Sequence, residues 1–581
     1  MFAMRNKFVI SIFFCIFAVS AAAQNLDPTV EVSREYEGKL VEVHKPLFNM
    51  TVPDSLTRFA LDFDYYVYDN PYKGSYEFAP YLLSMKPSAS DNGEHRFYLK
   101  AGAGYQLHPT LDLIWSPGFE RKGFNMDVYG VHRSFIGNYL TIEPVAGDAG
   151  EVLLTRAPKK EDGSHQWLGL DMLNKAGVVF RHDWEALVLD YSAGYYGMMQ
   201  SVPDWIRGYN AVDAGLSLKT KPESIESLVF DMDLDYRYGV DNVWESQLRE
   251  NLGSLKMQVG PFMVKQHRMS LGLESDVASY TGAYELTGGS VSLLPRYVFF
   301  KDRFSVGLGV RISKMLTGDD VKEQYVYPDV SLSYAIAPDA LKLYFKAKGG
   351  GEFQNYSSTV ASDHFAFHTM PQGMLGYKIE RVGLTMGFDG RITDKFSYNI
   401  RGGYANYASL RHYVVCAVAQ PWSFMSYFGA QKWFAALDWA LDVEGFRFDG
   451  TVSYDRYWDK DGEYDGGLGI SGFALLKPAA LTGEVSVEYS WKRRLTFGSD
   501  CDFSGPMRGY YWEYQPGSDS IPMFEVDVPA YADLGVYAEY ATARNISIWM
   551  RGGNLLNQTI QRTPLYAEKG VYFTAGICLN L

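Results

Sequence analysis

The final eleven residues constrain this chain more than any other stretch. Val571, Phe573, Ala575, Ile577, Leu579 and Leu581 alternate with Tyr572, Thr574, Gly576, Cys578 and Asn580. One face of that run is apolar and the other small or polar, the period of two that belongs to a strand. Terminal residues of a soluble domain usually fray in water. A sheet that closes on itself cannot spare its last strand, because an unpaired edge would expose a full row of backbone donors and acceptors.

The same pattern runs upstream. Leu341, Leu343, Phe345 and Ala347 oppose Lys342, Tyr344, Lys346 and Lys348, and Phe396, Tyr398 and Ile400 oppose Ser397, Asn399 and Arg401. Aromatic residues make up 15% of the chain, yet 21% is charged, so apolar and polar residues are interleaved rather than blocked. Alternating segments recur 22 times from about residue 95 to 581. The later ones are expected at 395–409, 427–443, 446–457, 466–476, 481–493, 528–541, 546–555 and 570–581. No later stretch is long and apolar enough for a membrane helix, so any crossing must be made by strands.

Connection lengths carry the topology. Short links such as 393–394, 444–445, 477–480 and 543–545 alternate with long ones such as 137–166, 355–377, 410–426 and 494–527. Tight turns on one rim and long loops on the other are the habit of transmembrane barrels, with the turns periplasmic. The expected fold is therefore all-β: a large antiparallel transmembrane β-barrel of about 22 strands, with short periplasmic turns and long extracellular loops. No fixed-period repeat supports a propeller or solenoid.

The N-terminus begins with Arg5 and Lys7, an apolar run from Phe8 to Val19, and small residues at Ala21–Ala23. That is the form of a secretory signal peptide, expected over 1–23. A formal net charge of −14 argues against nucleic acid as a partner. Residues 24–94 form a separate N-terminal segment, periplasmic or lumen-occluding, and 95–581 the barrel.

The ending "GGNLLNQTIQRTPLYAEKGVYFTAGICLNL" resembles the C-terminal end of TonB-dependent receptors, through Asn554, Leu555, Asn557, Tyr566, Gly570, Phe573 and Gly576. The resemblance implies a 22-stranded outer-membrane barrel in transport or uptake in a Gram-negative bacterium. It also implies an N-terminal plug domain, for which residues 24–94 are too short and lack the Gly-rich motifs. "DPTVEVS", Asp27–Ser33, loosely resembles a TonB-contacting segment, but a short extended run is too common to establish TonB contact. The lumen must be occluded by residues 24–94, by the connections 137–166 and 494–527, or by a partner. The alternative reading is a non-transporting accessory or scaffold barrel of an envelope complex, such as the outer-membrane protein assembly machine.

Candidate site residues are few. Lys342, Lys346, Lys348, Arg401 and Arg551 fall on polar strand faces and are expected to line the lumen. Tyr510, Tyr511, Trp512 and Tyr514 form an aromatic run in the longest loop, suited either to stacking on a solute or to packing at the barrel mouth. The loop carboxylates Asp459, Asp461, Glu463 and Asp465 lack the bidentate Glu of a calcium loop and read as solvated. No cofactor, metal site or catalytic arrangement is expected, so the chain is not read as an enzyme. The expected partners are outer-membrane lipid and envelope proteins.

Overall fold

A computed structural model describes residues 96–581, except 118–122, 148–151, 160–164, 203–204, 222–228, 243–246, 317–325, 338–339, 364, 366–374, 418–420, 459–474, 477, 493 and 514–522. The expected signal peptide, the 24–94 segment and the carboxylate loop lie outside the described residues.

Among the described residues, all 27 strands belong to one sheet. Five short strands stand apart from the wall: Ile142–Ala146, Val152–Arg156, Leu475–Leu476, Met507–Glu513 and Met523–Val528. The remaining 22 pair antiparallel with their neighbours and close into a barrel. Closure is made by the ending that the sequence singled out. Tyr572–Asn580 pairs with Phe97–Gly104, from Tyr98 opposite Asn580 to Gly104 opposite Thr574. Even Leu581 is used, its carbonyl accepting from the Arg96 and Phe97 amides at 2.6 and 2.8 Å.

Side-chain alternation separates two environments. Leu234, Tyr236 and Tyr238 are exposed on the outer face of Phe230–Asp241. On the inner face of the same strand, Arg237 donates to Asp213 at 2.5 Å on the neighbouring strand. Ile400, Leu437, Ile548 and Ile577 continue the exposed outer belt. So much apolar surface facing outward is stable only against hydrocarbon, which identifies the outer face as the lipid face.

The strand count of 22 agrees with expectation, but three of the expected elements do not. Phe446–Trp458 pairs directly with Leu481–Trp491, which leaves no wall position between them for the expected strand 466–476, of which 466–474 lie outside the described residues. Its described remnant, Leu475–Leu476, pairs with Tyr413 and Val414 above the barrel. The missing strand is Leu495–Ser504, which falls inside the expected loop 494–527 and pairs with Leu481–Trp491 and Tyr531–Ala543. The link 477–480 consequently lies on the long-loop rim, and the tight turn is at 492–494. The expected loop 410–426 is mostly strand as well, because Phe396–Ala417 and Pro421–Val443 pair as far as Ala417 opposite Pro421.

Rim asymmetry is real with exceptions. The turns 265–266, 302–303, 394–395, 444–445 and 544–545 share one rim. The other carries 141–165, 355–375, 505–530 and 554–571, but also the short links 203–204 and 283–285, where the paired strands themselves project beyond the wall.

Candidate functional site

The inner wall is polar and ion-paired across strands. Arg181 pairs with Asp190 at 2.6 Å, Arg311 with Glu274 at 2.7 Å, and Arg296 with Asp329 at 3.2 Å. Such pairs let charges sit in a partly wetted interior without isolating any of them.

All five basic candidates fall on this inner face. Lys342 lies opposite Ala335 and Asp389, Lys346 opposite Ser331 and Thr385, and Lys348 opposite Asp329. The Lys346 ammonium lies 5.2 Å from the centre of the Tyr344 ring. Arg401 is paired with Asp438, and Arg551 with Asp500 at 3.0 Å. Two arginines are thus tied to acids, and the three lysines follow one another along Leu341–Gln354. The aromatic run is placed differently from expectation. Tyr510–Trp512 belong to the strand Met507–Glu513 rather than to an irregular loop, and Tyr514 lies outside the described residues.

That strand is part of a roof. Met507–Glu513 pairs in parallel with the top of Phe396–Ala417 and antiparallel with Met523–Val528. Met523–Val528 pairs in parallel with Val152–Arg156 through Val526 and Asp527. Val152–Arg156 then pairs with Ile142–Ala146, which continues from the wall strand Phe124–Leu140. A chain of hydrogen-bonded strands thus runs from one part of the wall to another at the long-loop rim. Its undersides, Leu154, Val526 and Val528, share a buried apolar cluster with the wall residues Tyr196, Tyr209, Tyr280 and Tyr377.

Beneath the roof sits a short helix, Tyr356–Ser362, which the sequence reading missed. Asn355 caps it, its side chain accepting from the Ser358 amide at 2.7 Å. The helix is held by buried carboxylates of the wall. Tyr356 donates its hydroxyl to Asp241 at 2.6 Å, and Asp241 also pairs with Arg207 at 3.2 Å. Glu250 accepts from Tyr209 at 2.9 Å, from Tyr280 at 2.8 Å and from the Ser357 amide at 3.2 Å. Beyond the helix, Asp363 accepts from Tyr413 at 2.6 Å and from Thr563 at 2.5 Å. Burial pushes the Asp363 carboxyl above the usual range, against the pull of those hydrogen bonds and of Arg411.

Thr563 belongs to the last connection, 554–571, which also folds inward. Gln561 donates to the Leu154 carbonyl at 2.8 Å, tying this segment to the roof. Tyr566 stacks on Phe365 with centroids 5.2 Å apart. Burial raises the Glu568 carboxyl to about 8, with Asp171 and Asp363 adding to the shift and Arg562 and Lys569 opposing it. The only sequence signal for the helix was Asn355 three residues before Ser358, ahead of a seven-residue stretch too short to show helical period. Among the described residues there is no group of three or more His, Cys, Asp or Glu side chains able to hold a metal ion.

No family model matches the chain, and no curated protein matches it in sequence. Solved structures do match in fold. The "Copper transporter OprC" is 11% identical with a TM-score of 0.56, covering 84% of this chain and 80% of that one. The FrpB iron transporter from Neisseria meningitidis is 10% identical at a TM-score of 0.58, covering 84% and 83%. The ferripyoverdine receptor of the outer membrane of Pseudomonas aeruginosa is 10% identical at 0.59, covering 84% and 72%. The closed wall and its apolar belt define the class: a large β-barrel of the Gram-negative outer membrane. Within that class the architecture is the 22-strand one of these transporters and receptors.

Proposed function

We propose that this chain is an outer-membrane transporter of TonB-dependent-receptor architecture whose outer mouth is held shut by its own connections. The observation that carries the reading is how the closure is made. A roof of loop strands and the helix Tyr356–Ser362 fill the mouth, pinned by side-chain hydrogen bonds to Asp241, Glu250 and Asp363. Hydrogen bonds of this kind exchange for water at modest net cost, so the closure is reversible. A wall that served only as a scaffold has no need of a removable closure over a polar, ion-paired lumen.

Residues 24–94 remain the candidate for the periplasmic side. Their aromatic content, including Phe59, Phe63, Tyr65, Tyr66, Tyr72 and Tyr76, is too high for a solvated linker. The reading requires no plug domain of the size found in the family, and energy input through TonB is not part of it.

The test uses a large hydrophilic antibiotic that the outer membrane normally excludes. Cells producing a variant lacking both 54–92 and 355–365 should become sensitive to it, while cells producing the intact chain or the variant lacking 54–92 alone stay resistant. Unchanged resistance with the double deletion, that variant being folded and present in the outer membrane, would count against a lumen gated at this mouth.

A further inference from the structure

On the lipid face, we infer that Arg456 and the aromatic side chains around it bind the phosphate of an outer-leaflet lipid. The inference rests on the barrel's orientation, with long loops outward, and not on the transport reading.

Arg456 belongs to the strand Phe446–Trp458, whose inward and outward residues are fixed by their partners. Asp455 faces the lumen and pairs with Lys432 at 3.7 Å, and Thr451 donates inward to Asp438 at 2.6 Å. Tyr454, Arg456 and Trp458 therefore face outward, and Tyr454 is exposed there. Directly opposite Arg456 across the ladder is Trp433, also outward and 58% exposed. Arg456 is exposed, and among the described residues no ion pair or hydrogen bond engages it. A guanidinium on an otherwise apolar outer face is unusual, because outward charge disfavours insertion wherever hydrocarbon surrounds it.

Its height resolves that conflict. Arg456 is eleven residues above Gly445 of the tight turn. At about 3.3 Å per residue and a tilt of about 40°, that places it roughly 28 Å above the periplasmic rim. The apolar band is about 25 Å tall, so the side chain emerges at the outer headgroup level. A guanidinium there meets phosphate, whose geometry it matches with paired N–H donors.

The surroundings are ordered. The rings of Tyr404 and Trp433 lie 5.2 Å apart, those of Trp433 and Trp458 6.4 Å apart, and those of Tyr404 and Trp458 6.2 Å apart. Gln431 fixes two of them, its carbonyl oxygen accepting from Tyr404 at 3.1 Å and from Trp458 at 2.9 Å. Aromatic platforms of this kind settle at the membrane interface, where sugar and acyl chain meet. A cation beside such a platform fits a phosphorylated glycolipid: the guanidinium takes the phosphate and the rings take the sugar and the start of the chains.

The probe is diphosphorylated lipid A, compared with the same lipid after enzymatic removal of its phosphates. Binding to the full-length protein in mild detergent is followed by native mass spectrometry. The intact protein should retain the phosphorylated form on the order of tenfold more strongly than the dephosphorylated one, the scale of a charge-assisted hydrogen-bonded contact. Arg456→Gln should abolish that preference, and Arg456→Lys should keep part of it. Heat-modifiable migration checks that each variant is folded; exposure of the side chain makes loss of folding unexpected. Equal retention of the two lipids by the intact protein, or an unchanged preference in folded Arg456→Gln, would overturn the assignment.

Discussion

The hydroxyl of Tyr356 donates to the carboxylate of Asp241 at 2.6 Å, joining residues 115 positions apart in the chain. Asp241 ends a wall strand, and Tyr356 begins the helix that occupies the mouth. Both side chains are fully buried, so neither can exchange its partner for water while the mouth is closed. Removing the donor alone should expose the cost. Tyr356→Phe is expected to weaken the closure by about 1–3 kcal/mol, the range for a buried acceptor losing a partner. Hydrogen exchange should speed up over 356–362 and leave the wall strands Leu248–Val264 and His267–Gly282 unchanged. Equal acceleration everywhere would mean that the helix is part of the global fold rather than a separately opening unit.

The two faces of a single strand provide a second test. Leu234 is outward and exposed, and its neighbour Asp235 points into the lumen. Leu234 is only four residues from the periplasmic start of its strand at Phe230, well inside the apolar band. A basic residue there costs roughly 2–4 kcal/mol in the bilayer. Leu234→Arg should therefore sharply lower the yield of heat-modifiable barrel, whereas Asp235→Arg should not. Similar yields from the two would contradict the assignment of faces.

Topology predicts which rim antibodies reach. An epitope inserted after Glu285, on the long-loop rim, should be labelled on intact cells. One inserted after Asp302, in the turn between Leu286–Lys301 and Phe304–Met315, should be labelled only after lysis. Labelling of the second site on intact cells would invert the barrel.

The mouth should loosen as pH rises. The carboxyl of Glu568 has its folded-state value raised to about 8 from 4.5. An acid shifted in this direction favours the closed form while it is protonated in both states. That preference is full below about pH 4.5 and declines as pH rises toward 8, where the buried carboxylate must carry charge. The neighbouring groups are Arg562, Lys569, Asp171 and Asp363. Hydrogen exchange across 554–571 should be slower at pH 5 than at pH 8 after correction for the intrinsic rate, and Glu568→Gln should flatten the difference. A corrected rate that falls with pH would contradict it.

Much of the wall could be read from sequence because lipid outside and water inside impose alternation on every spanning strand. The ending from Val571 to Leu581 was legible for that reason. Leu495–Ser504 was not, because Ser499 and Cys501 interrupt its outward apolar row while Asp500 and Asp502 make it resemble a loop. Alternation at 466–476 suggested a strand between Phe446–Trp458 and Leu481–Trp491, which pair directly, so one omission and one surplus left the strand count intact. Periodicity could not reveal the roof, since Met523–Val528 alternates as a wall strand does. Nor could it pair Tyr356 with Asp241 or Thr563 with Asp363, contacts set by how distant connections fold back over the mouth.

The central claim is that the barrel's own connections hold its mouth shut, and single-channel recording addresses it most directly. Purified full-length protein in a planar bilayer should be electrically quiet. The double variant Tyr356→Phe, Glu250→Gln weakens two of the three anchors, by taking away the hydroxyl that donates to Asp241 and by exchanging the charged acceptor of Tyr209, Tyr280 and the Ser357 amide for a neutral one. That variant should show frequent large openings, and deletion of Asp54–Asn92 should enlarge them further if the N-terminal segment covers the periplasmic side. Steady large conductance from the intact protein, or a silent double variant that remains silent after the added deletion, would contradict the claim.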